Sequence, residues 1–260
     1  MSKDIHPTAI VEDGAQLSED VKVGPFSIIG GDVRVGQGTE IASHVTVAGR
    51  TEIGANCKVF PYASIGTDPQ DLKYKGEDTG VKIGDECVIR EYVTVNRGSV
   101  GGDGMTEVGS NNFLMAYSHV AHDCRVGNNV IMANAATLGG HVSVGDRAFL
   151  GGFVAVHQHC RVGTYVMIGG VGRITKDVPP YVMAVGVDDV KLFGLNSVGL
   201  KRGGVSEEGI RDLKAAYKII FGKKGSLKEA IKKVQEDLPY TDEISHLIEF
   251  LNQCKRGFYR

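Results

Sequence analysis

"VKVGPFSIIGGDVRVGQGTEIASHVTVAGRTEIGANCKVFPYASIG", residues 21–66, carries an aliphatic side chain at every sixth position: Val23, Ile29, Val35, Ile41, Val47, Ile53, Val59 and Ile65. The beat starts earlier, at Ile5, Val11 and Leu17. It resumes at Ile83, Ile89 and Val95, then runs from Val108 to Ile174 without a slip. Glycine often follows the aliphatic residue, as at Gly24, Gly36, Gly54, Gly127 and Gly145. An α-helix repeats at 3.6 residues and a pleated strand at 2, so neither explains a period of six. A triangular parallel β-helix does: each hexad is a short strand and a corner, and three hexads make a coil of about 18 residues. The aliphatic residue (position i) points into the prism, and a small residue at i+4 fills the remaining inner space.

Composition agrees with a mainly β protein. The 260 residues include 36 glycines and no tryptophan, but 42% are apolar and only seven are proline, so the glycines belong to regular turns rather than to disorder. Cys57, Cys87, Cys124 and Cys160 all fall at i+4, which makes them small buried packing groups rather than disulfide partners. The formal net charge is −2, with no basic arm or acidic tail, which argues against nucleic acid or membrane binding by bulk charge. No run of 18 apolar residues and no apolar leader is found, so no membrane insertion and a cytoplasmic location are expected.

The beat breaks twice. "GTDPQDLKYKGEDTGVK" (66–82) and "NRGSVGGDGMTE" (96–107) are too polar for a prism interior and read as loops leaving the solenoid near 66–82 and 97–107. Such excursions commonly carry function, although a tolerated surface insertion has the same appearance. After "DVPPYVMAVG" the period stops and helix patterns begin. Ile210, Leu213, Tyr217, Ile220 and Phe221 form one apolar stripe. Ser226 and Glu229 form a capping box, and Thr241 precedes Ile244, Leu247, Ile248 and Leu251. The expected organisation is a β-helix over 1–187 and a small α-helical C-terminal subdomain over 188–260.

Five of the eight histidines lie between His119 and His159. His122 is at i+2 of its hexad, His141 and His159 at i+3 and His157 at i+1, so their side chains should project outward near one edge, on coils roughly 4.8 Å apart. That placement disfavours a core-packing role. Gly140 falls one coil after His122, where its N–H could serve as an oxyanion donor beside a general base. Asp123 follows directly and could fix the imidazole tautomer. No serine or cysteine is poised as a nucleophile. Residue types alone leave both a base and a zinc ligand set open.

The hexads, "HPTAIVEDGA" near the start, "QDLKYKGE" (70–77), "HVAHDC" (119–124), "GGHVSVG" (139–145), "AVHQHC" (155–160), "DVPPYV" (177–182) and "GLKR" (199–202) together resemble one family nearly end to end. It is the acyl-carrier-protein:UDP-N-acetylglucosamine O-acyltransferases, hexapeptide-repeat enzymes that open lipid A biosynthesis. The resemblance implies a left-handed β-helix, a homotrimer with clefts between subunits, and transfer of a 3-hydroxyacyl chain from acyl carrier protein to the sugar 3-hydroxyl. By matching positions, His122 would be the general base, Asp123 its orienting partner and the Gly140 N–H the oxyanion donor. Gln70, Asp71 and Lys73 would hold the sugar nucleotide. His119 and His141 would contact the reacting region, His157 and Gln158 would line the cleft, and Asn196 and Arg202 would assist the nucleotide. Gly170 would leave room for a long acyl chain, unless it is simply a corner residue. No metal or cofactor is implied beyond the donor's phosphopantetheine.

Four residues depart from the family pattern: Asn96, Asp189, Val198 and Gly203. Asn96, in place of histidine, keeps a 3-amino sugar acceptor and an amide product in view. Three further readings compete. A later N-acyltransferase of the same pathway usually adds an N-terminal uridine-binding domain, for which hexads starting at residue 5 leave no room. A zinc hydratase of the carbonic anhydrase type and a silent scaffold trimer use the same solenoid. Lys201, Arg202, Arg211, Lys214, Lys218, Lys223 and Lys224 could face an acidic acyl carrier protein, or form a solvated helix face.

Overall fold

Strands of mostly two residues, each followed by a tight corner, wind into a left-handed parallel β-helix in the computed structural model, which describes residues 4–222 and 225–260. Lys223 and Lys224 lie outside the described residues. Among the described residues three sheets of eleven, nine and eight strands form the prism faces, here faces 1, 2 and 3. Their inward columns run through Val23, Ile41 and Val59 (face 1), Val120, Leu138 and Val156 (face 2), and Val126, Val144 and Val162 (face 3). Every inward side chain stacks on its counterpart one coil away, and most are fully buried. The i+4 column interleaves with them: Cys57, Cys87, Cys124, Cys160, Val130 and Ala136 are all at 0% exposure. Asn112 in this column is bonded to backbone, its Nδ2 donating to Gly109 O and Gly127 O at 2.8 Å.

The corners explain the order of the sequence. Non-glycine residues there adopt left-handed backbone, including Asp123 (φ 58°), His141 (60°) and His159 (63°). The conformation costs energy for a side chain with a Cβ. It is held because the corner amide reaches the coil below: His141 N donates to His122 O at 3.1 Å, and His159 N to Gly140 O at 3.0 Å. Histidines in one column are therefore brought into ring contact.

Both loops leave the corner between faces 2 and 3, and both close earlier than the polar stretches suggest. Gly80–Ile83 and Met105–Val108 are already strands on face 3, paired in register with each other. Each strand begins before the beat resumes at Ile83 and Val108, with Val81 and Thr106 also buried. Beyond the last hexads, Val182–Val185 continues face 1 and turns antiparallel into Lys191–Leu195, so face 1 extends past residue 187. Among the described residues four helices follow: α1 (Ser197–Arg202), α2 (Glu207–Phe221), α3 (Leu227–Asp237) and α4 (Asp242–Asn252). Short α1 carries no apolar stripe that periodicity could reveal. Ser206, Ser226 and Thr241 cap the other three, Ser226 with the reciprocal Glu229 bond. Leu200, Leu213, Ile220, Val234, Leu247 and Leu251 form a second core with Tyr181. Among the described residues, no helix is long and apolar enough to cross a membrane.

Candidate active site

The corner after strand His119–Val120 builds the site. His122 Nδ1 lies 2.8 Å from Asp123 Oδ2. Asp123 is fixed from both ends: its N–H donates to Thr106 Oγ1 at 2.8 Å, and its carboxylate accepts from Ser99 N (3.0 and 3.2 Å) and Ser99 Oγ (2.7 Å). The Asp123 side chain is 2% exposed, that of His122 14%. A carboxylate at Nδ1 keeps the ring proton there and leaves Nε2 as the lone-pair nitrogen toward the cleft. Gly140 lies flat against that edge. A Cβ placed on it would sit 2.6 Å from both Cε1 and Nε2 of His122, so only glycine fits. Its neighbours' amides are used, Gly139 N bonding Val156 O and His141 N bonding His122 O. Among the described residues the Gly140 N–H finds no acceptor. An imidazole nitrogen and a free backbone donor thus share one edge of a corner.

Around them is a cleft of about 530 Å³. It brings together Gln70, Asp71, Lys73, His122, His141 and Gln158 from positions up to 88 residues apart in sequence (70 to 158). His159 lines it too, stacked on His141 with centroids 4.4 Å apart, and His141 meets His122 edge-on at 5.1 Å. Burial first, then the neighbouring His141, holds the His159 pKa below the ordinary value. His119 is not in the cleft wall. It is half-buried on face 2, its Nδ1 2.7 Å from Thr94 Oγ1, and burial followed by the repulsion of His122 lowers its pKa. His157 is exposed, turned to Gln158 O at 3.1 Å.

The remaining residues singled out in the sequence lie elsewhere in the chain. Gly170 sits on the corner between faces 1 and 2, over Gly152. Asn196 caps α1 and donates to Tyr165 O at 2.9 Å, and Arg202 ends that helix. Asn96 is buried away from the cleft wall. Its Nδ2 donates to Asp68 O (2.9 Å) and Thr67 Oγ1 (3.2 Å), which makes it a fastener of the first loop rather than a contact for the acceptor. Arg97 adds bonds to Gly66 O (3.1 Å), Tyr74 Oη (2.9 Å) and the Asp68 carboxylate. The cleft also contains Tyr74, Ser99, Val100 and Gly101, which sequence reasoning did not single out. The glycine-rich character of 98–104 was the available signal for the last three.

Chemistry narrows the alternatives. His122, Asp123 and His141 have potential ligand atoms within 4.8 Å of one another. However, His122 Nδ1 and both Ser99 donors already address Asp123 Oδ2, so a metal there would have to displace a proton and a serine. Burial pushes the Cys124 thiol up to about 12 and Cys160 up to about 11, which removes both as thiolate nucleophiles at neutral pH. A larger concavity, about 680 Å³, lies on face 3, but Arg125 there is paired to Glu107 and Asp103, and among the described residues its one histidine, His246, has no carboxylate bonded to it.

A family model described as UDP N-acetylglucosamine O-acyltransferase, domain 2, matches residues 177–259, and the bacterial transferase hexapeptide model matches 14–49 and 105–140. The chain is 57% identical over 257 residues to an acyl-[acyl-carrier-protein]–UDP-N-acetylglucosamine O-acyltransferase of Thermodesulfovibrio yellowstonii, covering 99% of both chains. It is 54% identical to one of Trichlorobacter lovleyi, covering 98% of this chain and 99% of the relative. The solved structure of LpxA from Acinetobacter baumannii superposes with a TM-score of 0.95 at 44% identity, covering 98% of this chain and 99% of that one. These relationships favour neither the 3-amino acceptor nor the zinc hydratase. With the prism, the helical tail and the relatives in agreement over almost its whole length, the chain belongs to the acyl-[acyl-carrier-protein]–UDP-N-acetylglucosamine O-acyltransferase family.

Proposed function

We propose that this acyltransferase moves a 3-hydroxyacyl chain from acyl carrier protein to the 3-hydroxyl of UDP-N-acetylglucosamine, the first step of lipid A biosynthesis, in one direct displacement at His122. The sugar hydroxyl oxygen attacks the thioester carbonyl as His122 Nε2 takes its proton. Asp123 steadies the resulting imidazolium through Nδ1–H. The Gly140 N–H receives the oxyanion of the tetrahedral intermediate. Collapse breaks the carbon–sulfur bond, and the imidazolium returns its proton to the departing pantetheine thiolate. The products are the 3-O-acyl sugar nucleotide and the free carrier thiol, and the chemistry requires neither metal nor further cofactor.

Gln70, Asp71 and Lys73 hold the sugar nucleotide, with His141 beside the reacting region and Gln158 lining the cleft, while His119 and His157 lie outside that wall within one chain. Gly170, Asn196 and Arg202 do not line the His122 cleft of their own chain, which favours a homotrimer in which a neighbouring copy supplies them. Gly170 then leaves space for the acyl tail. The acidic carrier protein would dock at exposed cations such as Lys201 and Arg211, although Glu207 and Glu208 already pair with these at 3.5 and 3.1 Å. A cytoplasmic location suits such a donor. The single observation carrying the reading is the His122–Asp123 pair beside the unbonded Gly140 amide. Incubation with 3-hydroxyacyl carrier proteins of several lengths and UDP-N-acetylglucosamine should yield an ester product by mass spectrometry, and no transfer from any donor would overturn it.

A further inference from the structure

The loop 97–104 does more than border the cleft. Its Ser99 places two donors on one carboxylate, N–H and Oγ–H, and is itself 2% exposed. Ser99 O accepts from Gly102 N at 3.2 Å, and that turn lays Gly102 against the Asp123 side chain with no room for a Cβ. The other end of the stretch is equally fixed, because Asn96 and Arg97 fasten the first loop at Gly66, Thr67, Asp68 and Tyr74. Four consecutive residues therefore join the segment bearing Asp71 and Lys73 to the carboxylate behind His122.

We propose that Ser99 is a positioning residue for acyl transfer: its hydroxyl holds Asp123 in the one orientation that keeps the His122 proton on Nδ1 and Nε2 toward the substrate. The inference rests on His122 being the general base. Without the hydroxyl, Asp123 keeps the Ser99 N–H and His122 but loses its shortest donor. The freed carboxylate then attracts the imidazolium more strongly and holds the ring less firmly. The base would need a higher pH to become neutral, and the competent geometry would be populated less often. The other titratable groups around the pair are unchanged by this substitution. They are His119 on the preceding strand, Cys124 on the following residue, His141 and His159 on the next two coils, and Asp71 and Lys73 across the cleft.

Steady-state kinetics across pH for Ser99→Ala, Ser99→Thr and Ser99→Cys, beside wild type and His122→Ala, test this. The expected result for Ser99→Ala is a kcat about 10- to 100-fold lower, with KM for the sugar nucleotide within about twofold of wild type. The acid limb of kcat/KM should move upward by about half a pH unit or more. Ser99→Thr should restore both and Ser99→Cys should fall between. An unchanged kcat and limb, or a lowered kcat with an unmoved limb, would overturn it, the second pattern being that of a merely structural serine. If Ser99→Ala does not fold, Ser99→Cys decides by the same two criteria. A wild-type protein that makes no ester would instead remove the base reading itself, so the two failures are separable.

Discussion

At the scale of single residues, the site depends on how little space separates an imidazole from a glycine. Gly140→Ala puts a methyl group where His122 Cε1 and Nε2 already lie, so the ring must turn away from the cleft. We expect kcat to fall about 10²-fold or more, the low end of what a positioned base contributes. A Gly140→Ala enzyme as fast as wild type would show that the ring does not work at that edge. His122, Asp123 and Gly140 were legible in the sequence because the 18-residue coil converts sequence distance directly into stacking. Ser99 was not, since it belongs to a loop with no period. Asn96 shows the same limit: its departure from the family pattern was visible, but its burial as a fastener of the first loop depends on where Thr67 and Asp68 fold back.

At the scale of the element, each coil is stabilised by the same column of aliphatic side chains. Leu138 is fully buried between Val120 and Val156, so Leu138→Ala should cost about 2–5 kcal/mol, read as a lower melting temperature. A surface Thr46→Ala, two residues before Ala48 on face 2, should cost far less. His119 adds a pH dependence. Burial depresses its folded-state pKa, so as pH falls through its ordinary value of 6.5 the unfolded chain takes up a proton that the folded chain refuses. Stability should decline below that pH, and His119→Gln should flatten the decline in melts recorded between pH 5 and 7.5; an unaltered slope would contradict it. The hexad made the prism readable from aliphatic positions alone. The antiparallel return at Lys191–Leu195 and helix α1 escaped because neither is long enough to display a period, and both are placed by contacts with Tyr165, Tyr181 and the last coils.

At the scale of the molecule, His122 and Gly170 occupy different corners of one prism, and a cleft using both needs two chains. The solution mass should be three times 27.8 kDa by light scattering. Mixing should also reveal the shared cleft. His122→Ala and Gly170→Phe chains, each inactive alone toward a long acyl donor, should regain activity when co-assembled, because one of the mixed clefts joins an intact His122 corner to an intact Gly170 corner. No recovery would place each cleft within one chain. The most direct test of the account as a whole is single-turnover transfer from 3-hydroxyacyl carrier protein to UDP-N-acetylglucosamine by wild type and His122→Ala, with the product identified by mass spectrometry. The account predicts a 3-O-acyl sugar nucleotide from wild type and a rate lower by about 10²- to 10⁴-fold in the variant. A His122→Ala protein that forms the same ester at the wild-type rate would contradict it.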